Sequence, residues 1–243
     1  MTTQLTSPVH PTQLRLPGQA AAPEGPVDPF MMYVMHHAFR RDLAQFARSV
    51  PRTPVADRAT WRALQSRWSL FRETLHHHHT GEDAWLWPLL ESRCTGAERE
   101  VLDAMESEHG EIDPLLTACD EGLAAMAAGG DDKSRDALSD IVSRTFDHLA
   151  THLAHEENDA IALVQKYLSP QDWADLEKKF GEDSRLRDLL TVAPWAVKAL
   201  DDDARRDLGP RIPGAMWFIA RLGSWSFRRG EGRAFAYDPD AAV

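Results

Sequence analysis

The sequence predicts an all-α fold, an antiparallel four-helix bundle with additional C-terminal helices. Apolar residues recur at three- and four-residue intervals along four long segments between residues 30 and 168. Short turns rich in Pro, Gly or Asp separate those segments, and no alternating strand pattern competes within them. The first helix runs from about Phe30 to Val50 and stops at the Pro51/Pro54 loop. The second starts at Asp57, a residue suited to capping an N-terminus, and runs to about Arg93. The third opens at Thr95 with Glu98 three residues on, a capping-box pattern, and ends near Gly129 and Gly130. The fourth follows Asp131 and Asp132 and ends at Ser169, with Pro170 opening the next helix. Pro88 and Pro114 fall inside helices, where a kink or an early end is expected.

On this reading the chain divides into a Pro-rich lead (1–28), the bundle (29–169) and a helical extension (170–243). The lead is expected to be disordered, or ordered only by contact. Of 243 residues, 43% are apolar and 27% charged, as in ordinary soluble domains. A formal net charge of -11 argues against nucleic acid as a partner. The two cysteines, Cys94 and Cys119, lack metal-type spacing and fit a reducing compartment. No membrane-span-length apolar run and no signal-peptide pattern is visible, so a cytoplasmic monomer or homodimer without a membrane partner is expected.

The apolar seams carry the functional signal, because each is interrupted by residues able to bind a metal. The first reads His36, Phe39, Leu43, Phe46, Val50. The second reads Trp61, Leu64, Trp68, Phe71, Leu75, His78, Glu82, Trp85, Leu89. The third carries His109 between Met105 and Ile112, and the fourth carries His152 and Glu156 between Leu149 and Ala160. Counted from the intervening turns, His78, Glu82, His109, His152 and Glu156 fall within a few residues of one height, a few Å at ~1.5 Å per residue. His36 fits that level less closely. Imidazole with carboxylate suits iron, manganese or zinc, and two carboxylates buried at one level without a cation would be costly.

The segments "HHAFRRDL" (36–43), "HHHHTGEDAWLWP" (76–88), "EHGEIDPLL" (108–116) and "HLATHLAHEENDAI" (148–161) together resemble the HHE-type hemerythrin-like family over roughly residues 30–168. The resemblance implies a non-haem centre of two iron ions, oxo- or hydroxo-bridged. His36, His78, His109 and His152 would be terminal ligands, and Glu82 and Glu156 the bridges. It also implies small ligands: O2, NO or H2O2. Oxygen-carrying hemerythrins use five histidines. Four leave two coordination positions unfilled on a pair of six-coordinate irons, where five leave one. That difference favours redox detoxification of peroxide or NO, a catalase- or peroxidase-like activity, over an O2- or iron-sensing module without turnover. His148, then Tyr33, are the candidates for a further ligand; Met105 and Asp113 also flank His109 by one turn. His76, His77 and His79 are expected to be solvated or to support the ligands from outside, as are Asp83 and Glu157; His37 and His155 lie off the seam.

The extension shows helical patterns at Gln171–Phe180, Leu186–Val192, Trp195–Leu208 and Ala215–Arg228. The last combines Trp217, Phe218, Ile219, Leu222, Trp225 and Phe227 with several arginines. Packing of these aromatics over the bundle or in a dimer contact is favoured over an interfacial membrane helix.

Overall fold

The computed structural model describes residues 10–181, 186–198, 200–212 and 214–240, and contains no strand among them. Helix α1 (Phe30–Ser49) leads through a 3-10 turn (Val50–Arg52) into α2 (Arg58–Gly81). A π turn (Glu82–Leu86) carries α2 on into α3 (Trp87–Glu91). Helix α4 (Ala97–Ala128) follows, then α5 (Asp132–His155), which passes through a second π turn (Glu156–Ala160) into α6 (Ile161–Tyr167). Helix α1 packs on α2 and α5, and α4 packs on the same two, which closes the four-membered bundle.

Local chemistry sets the starts and stops. Asp57 caps α2 by accepting from the Thr60 N–H, and Asp131 caps α5 by accepting from the Ser134 N–H. Helix α4 ends at Gly129, whose φ of 120° an L side chain rarely adopts. Pro88 lies in the first turn of α3, where a missing N–H costs nothing, and α4 runs unbroken through Pro114.

The π turns correct the expected core. A π turn inserts one residue, so the buried seam after it shifts by one position. Trp85 and Leu89 were expected to point inward after Glu82. Trp85 is instead 45% exposed, Leu89 only partly buried, and Leu86 and Leu90 fill the interior. After Glu156 the expected Ala160 and Leu163 stay buried, Ile161, Val164 and Leu168 join them, and Tyr167 is left at the rim with its hydroxyl donating to Glu98.

Residues 10–28 have no regular secondary structure and order by contact; residues 1–9 lie outside the described part. Leu14, Leu16, Ala22 and Val27 are buried on the bundle. Gln13 and Gln165 donate to the Val27 carbonyl, and the Val27 N–H donates back to Gln165.

The extension comprises α7 (Pro170–Gly181), α8 (Leu186–Ala196), α9 (Asp202–Leu208) and α10 (Gly214–Ala234). Trp195, expected to open a helix, stands near the end of α8. It fills a gap against Phe39, ring centroids 5.4 Å apart, and donates its Nε1–H to buried Asp42. Asp42 also binds Arg67 and Arg41, and Arg41 caps the Trp195 and Lys198 carbonyls. Helix α7 is anchored by a two-bond pair between Arg93 and Asp172. It closes so tightly on α2 that a Cβ at Gly81 would lie 2.1 Å from the Phe180 ring.

Candidate metal centre

Midway along the bundle, polar side chains replace the apolar seam of all four helices. His36 Nε2 lies 3.1 Å from Glu156 Oε2, and His78 Nε2 lies 3.1 Å from Glu82 Oε1. Neither approach has hydrogen-bond alignment, and both carboxylates are buried with no partner on either oxygen. His109 Nε2 lies 3.6 Å from Glu82 Oε2 and 3.2 Å from His152 Nε2. The six residues expected from the seams are therefore brought together.

Sequence reasoning missed a seventh. His79, expected to be solvated or peripheral, is 3% exposed, and both its ring nitrogens are buried without a partner. Its ring stacks on that of His109, with centroids 3.9 Å apart and planes 9° apart. The potential ligand atoms form two groups, each within 4.8 Å: His36, His78, Glu82 and Glu156; and His79, His109 and His152. Helix α2 sits between α1 and α4. His78 turns toward α1, 3.3 Å from His36, and His79 turns toward α4. A one-residue-per-turn seam overlooks this, because a helix in a bundle buries a face wide enough for two adjacent positions. The unbroken histidine run 76–79 was the available signal. His76 and His77 are exposed.

The two candidates for an additional ligand separate. His148 is exposed: four residues before His152, it falls beside the seam, whose inward position there belongs to Leu149. Tyr33 is buried, with no hydrogen-bond partner for its hydroxyl. Burial first, then the nearby Glu157 and Glu156 carboxylates, push its pKa above the ordinary phenol value. Asp113 is also exposed, while Met105 is buried.

Carboxylates hold three of the histidines from behind. Glu157 lies 2.9 Å from His36 Nδ1, Asp83 2.8 Å from His109 Nδ1, and Glu108 2.8 Å from His152 Nδ1. Since an ionised carboxylate only accepts, each Nδ1 carries the proton, and a neutral ring then presents a bare lone pair at Nε2. Asp83 and Glu157 each directly follow a core glutamate, so each π turn begins with one carboxylate in the core and one behind a histidine of another helix. Glu157 is held by both terminal guanidinium nitrogens of Arg40 and by the Ala20 N–H of the N-terminal segment.

The electrostatics mark a place for a cation. Burial, then the charge of Glu156, push the Glu82 pKa well above the carboxylate range. Burial alone would lower His36, but Glu156 and Glu157 outweigh it and raise it to about 9. Burial, the largest influence, lowers the His152 pKa, and its Nε2 lies 3.2 Å from His109 Nε2. Unpartnered carboxylate oxygens, an unpartnered imidazole and adjoining imidazole nitrogens are the donor set that an N/O-preferring transition metal requires. The residues fit such an ion.

A bundle with histidines and paired carboxylates converging in its core is a metal-binding four-helix protein. Residues 30–164, more than half of the chain, match the model of the Hemerythrin HHE cation binding domain, and the chain belongs to this hemerythrin family. No curated protein and no solved structure matches it.

Proposed function

We propose that the centre holds two iron ions, oxo- or hydroxo-bridged, and that the protein binds one small ligand there: O2, NO or peroxide. The observation that carries this reading is the position of His79. His79, His109 and His152 would hold one iron and His36 and His78 the other, with Glu82 and Glu156, grouped with the latter pair, as the carboxylates the two would share. Irons so held supply Lewis acidity and one-electron chemistry toward these ligands. Five imidazoles would leave one position of a six-coordinate pair unfilled, not two. The count that favours consumption of peroxide or NO rests on four histidines. Five favour binding or sensing without turnover.

The chain's other residues suit that task. Phe39 packs on the His78 ring, with centroids 5.3 Å apart, and Trp195 backs Phe39. Glu157, Asp83 and Glu108 fix the orientation of three imidazoles. The test is optical. The reduced protein is expected to change spectrum under O2 and to return under argon, without sustained loss of added peroxide. His79→Ala is expected to oxidise irreversibly in air and to consume peroxide faster than wild type. Repeated peroxide or NO turnover by the wild-type protein would instead establish the detoxification reading.

A further inference from the structure

Helix α10 has two unlike faces. Its inner face packs on α2 and α8 through Trp217, Ala220 and Phe227, and Arg67 lies over the Phe227 ring. Its outer face carries the three most exposed large apolar side chains among the described residues: Phe218 at 61%, Leu222 at 59% and Trp225 at 67%. They follow one another at four- and three-residue spacing and form one stripe, continued four residues on by Arg229, whose guanidinium lies over the Trp225 ring. Arg221, Arg228 and Arg233 are also exposed. The one acid of the helix, Glu231, is turned inward and buried against Lys198. An apolar stripe framed only by arginines thus stands on a chain whose net charge is -11.

We propose that the outer face of α10 docks on an anionic lipid surface, with Phe218, Leu222 and Trp225 entering the headgroup boundary and the arginines pairing with lipid phosphates and carboxylates. Large apolar side chains, an aromatic ring with a polar edge and flanking cations are what an in-plane interfacial helix requires. Charge decides against a second copy as the occupant, since a twofold contact through this face would set arginine against arginine. Spanning is not involved: among the described residues no helix is long and apolar enough to cross a membrane.

The experiment is flotation of the full-length protein with two kinds of vesicle, phosphatidylcholine alone and phosphatidylcholine with phosphatidylserine in a two-to-one ratio. The wild-type protein is expected to float with the serine-containing vesicles, and less so as salt is raised. Phe218→Ser/Leu222→Ser/Trp225→Ser is expected to abolish flotation with unchanged helix content. Arg228→Gln/Arg229→Gln, which leaves the apolar stripe intact, is expected to bind about thirty-fold more weakly. Wild-type protein that stays unbound with both vesicles, or a serine variant that floats as well as wild type, would overturn the proposal. So would concentration-dependent dimerisation that the serine variant removes, which would make the face a contact between copies.

Discussion

His36, His109 and His152 each stand between a core oxygen or nitrogen and a carboxylate behind the ring, and this pairing makes the centre sensitive to residues that never touch a metal. Glu157→Gln keeps the size of the side chain but takes away its charge on His36 and Arg40. It is expected to weaken metal binding about 10–100-fold, measured by competition with a chelator. His37→Ala, one residue from His36 but outside the cluster, is expected to leave affinity unchanged. For the core carboxylates, Glu82→Ala or Glu156→Ala is expected to lower the metal content from two ions per chain to one or none; two retained ions with an unchanged spectrum would remove the bridging assignment. Six of the seven clustered residues were legible in the sequence, because each interrupts an apolar seam. His79 was not, since its neighbour His78 already occupied the seam at that turn, and the histidine run 76–79 that marked it does not say which of its members face inward.

At the scale of elements, the π turns and the extension are what periodicity could not supply. Helix starts at Asp57 and Asp131 were readable from their capping side chains, whereas a π turn has no compositional signature and displaced the inward positions from Trp85 and Leu89 to Leu86 and Leu90. The extension was readable as helices but not in its attachment, which depends on Asp42, a charged residue that composition alone assigns to the surface. Burial would raise the Asp42 pKa, but Arg67 and Arg41, helped by the Trp195 N–H, outweigh it and hold the carboxyl below the ordinary aspartate value. A depressed folded-state pKa gives stability that is fully present above the ordinary aspartate range and is lost as pH falls through the folded value. Asp42→Asn leaves two arginines facing an uncharged amide. It is expected to cost about 3 kcal/mol at neutral pH, by urea unfolding, with the difference from wild type shrinking below about pH 4. A difference that held constant down to pH 2 would show that the ion pairs do not carry it.

Across the whole molecule, the N-terminal segment and the C-terminal helices converge on the same bundle, one reaching Glu157 through Ala20 and the other backing Phe39 through Trp195. Metal bound by the folded state alone stabilises all of it together. At about a thousand times the dissociation constant that amounts to about 4 kcal/mol, or about 10 °C in melting temperature for a chain of this size. The metal-free protein, left with Glu82 and Glu156 buried side by side, is expected to melt lower by that amount in calorimetry; equal melting temperatures would mean that the cluster does not bind metal in the fold. The most direct measurement is an anaerobic titration of ferrous iron into metal-free protein, comparing wild type with His79→Ala and His148→Ala. Two sites per chain are expected in wild type and in His148→Ala, and in His79→Ala one site weakened at least about tenfold. A single site in wild type, or a His79→Ala titration superimposable on wild type, would contradict this.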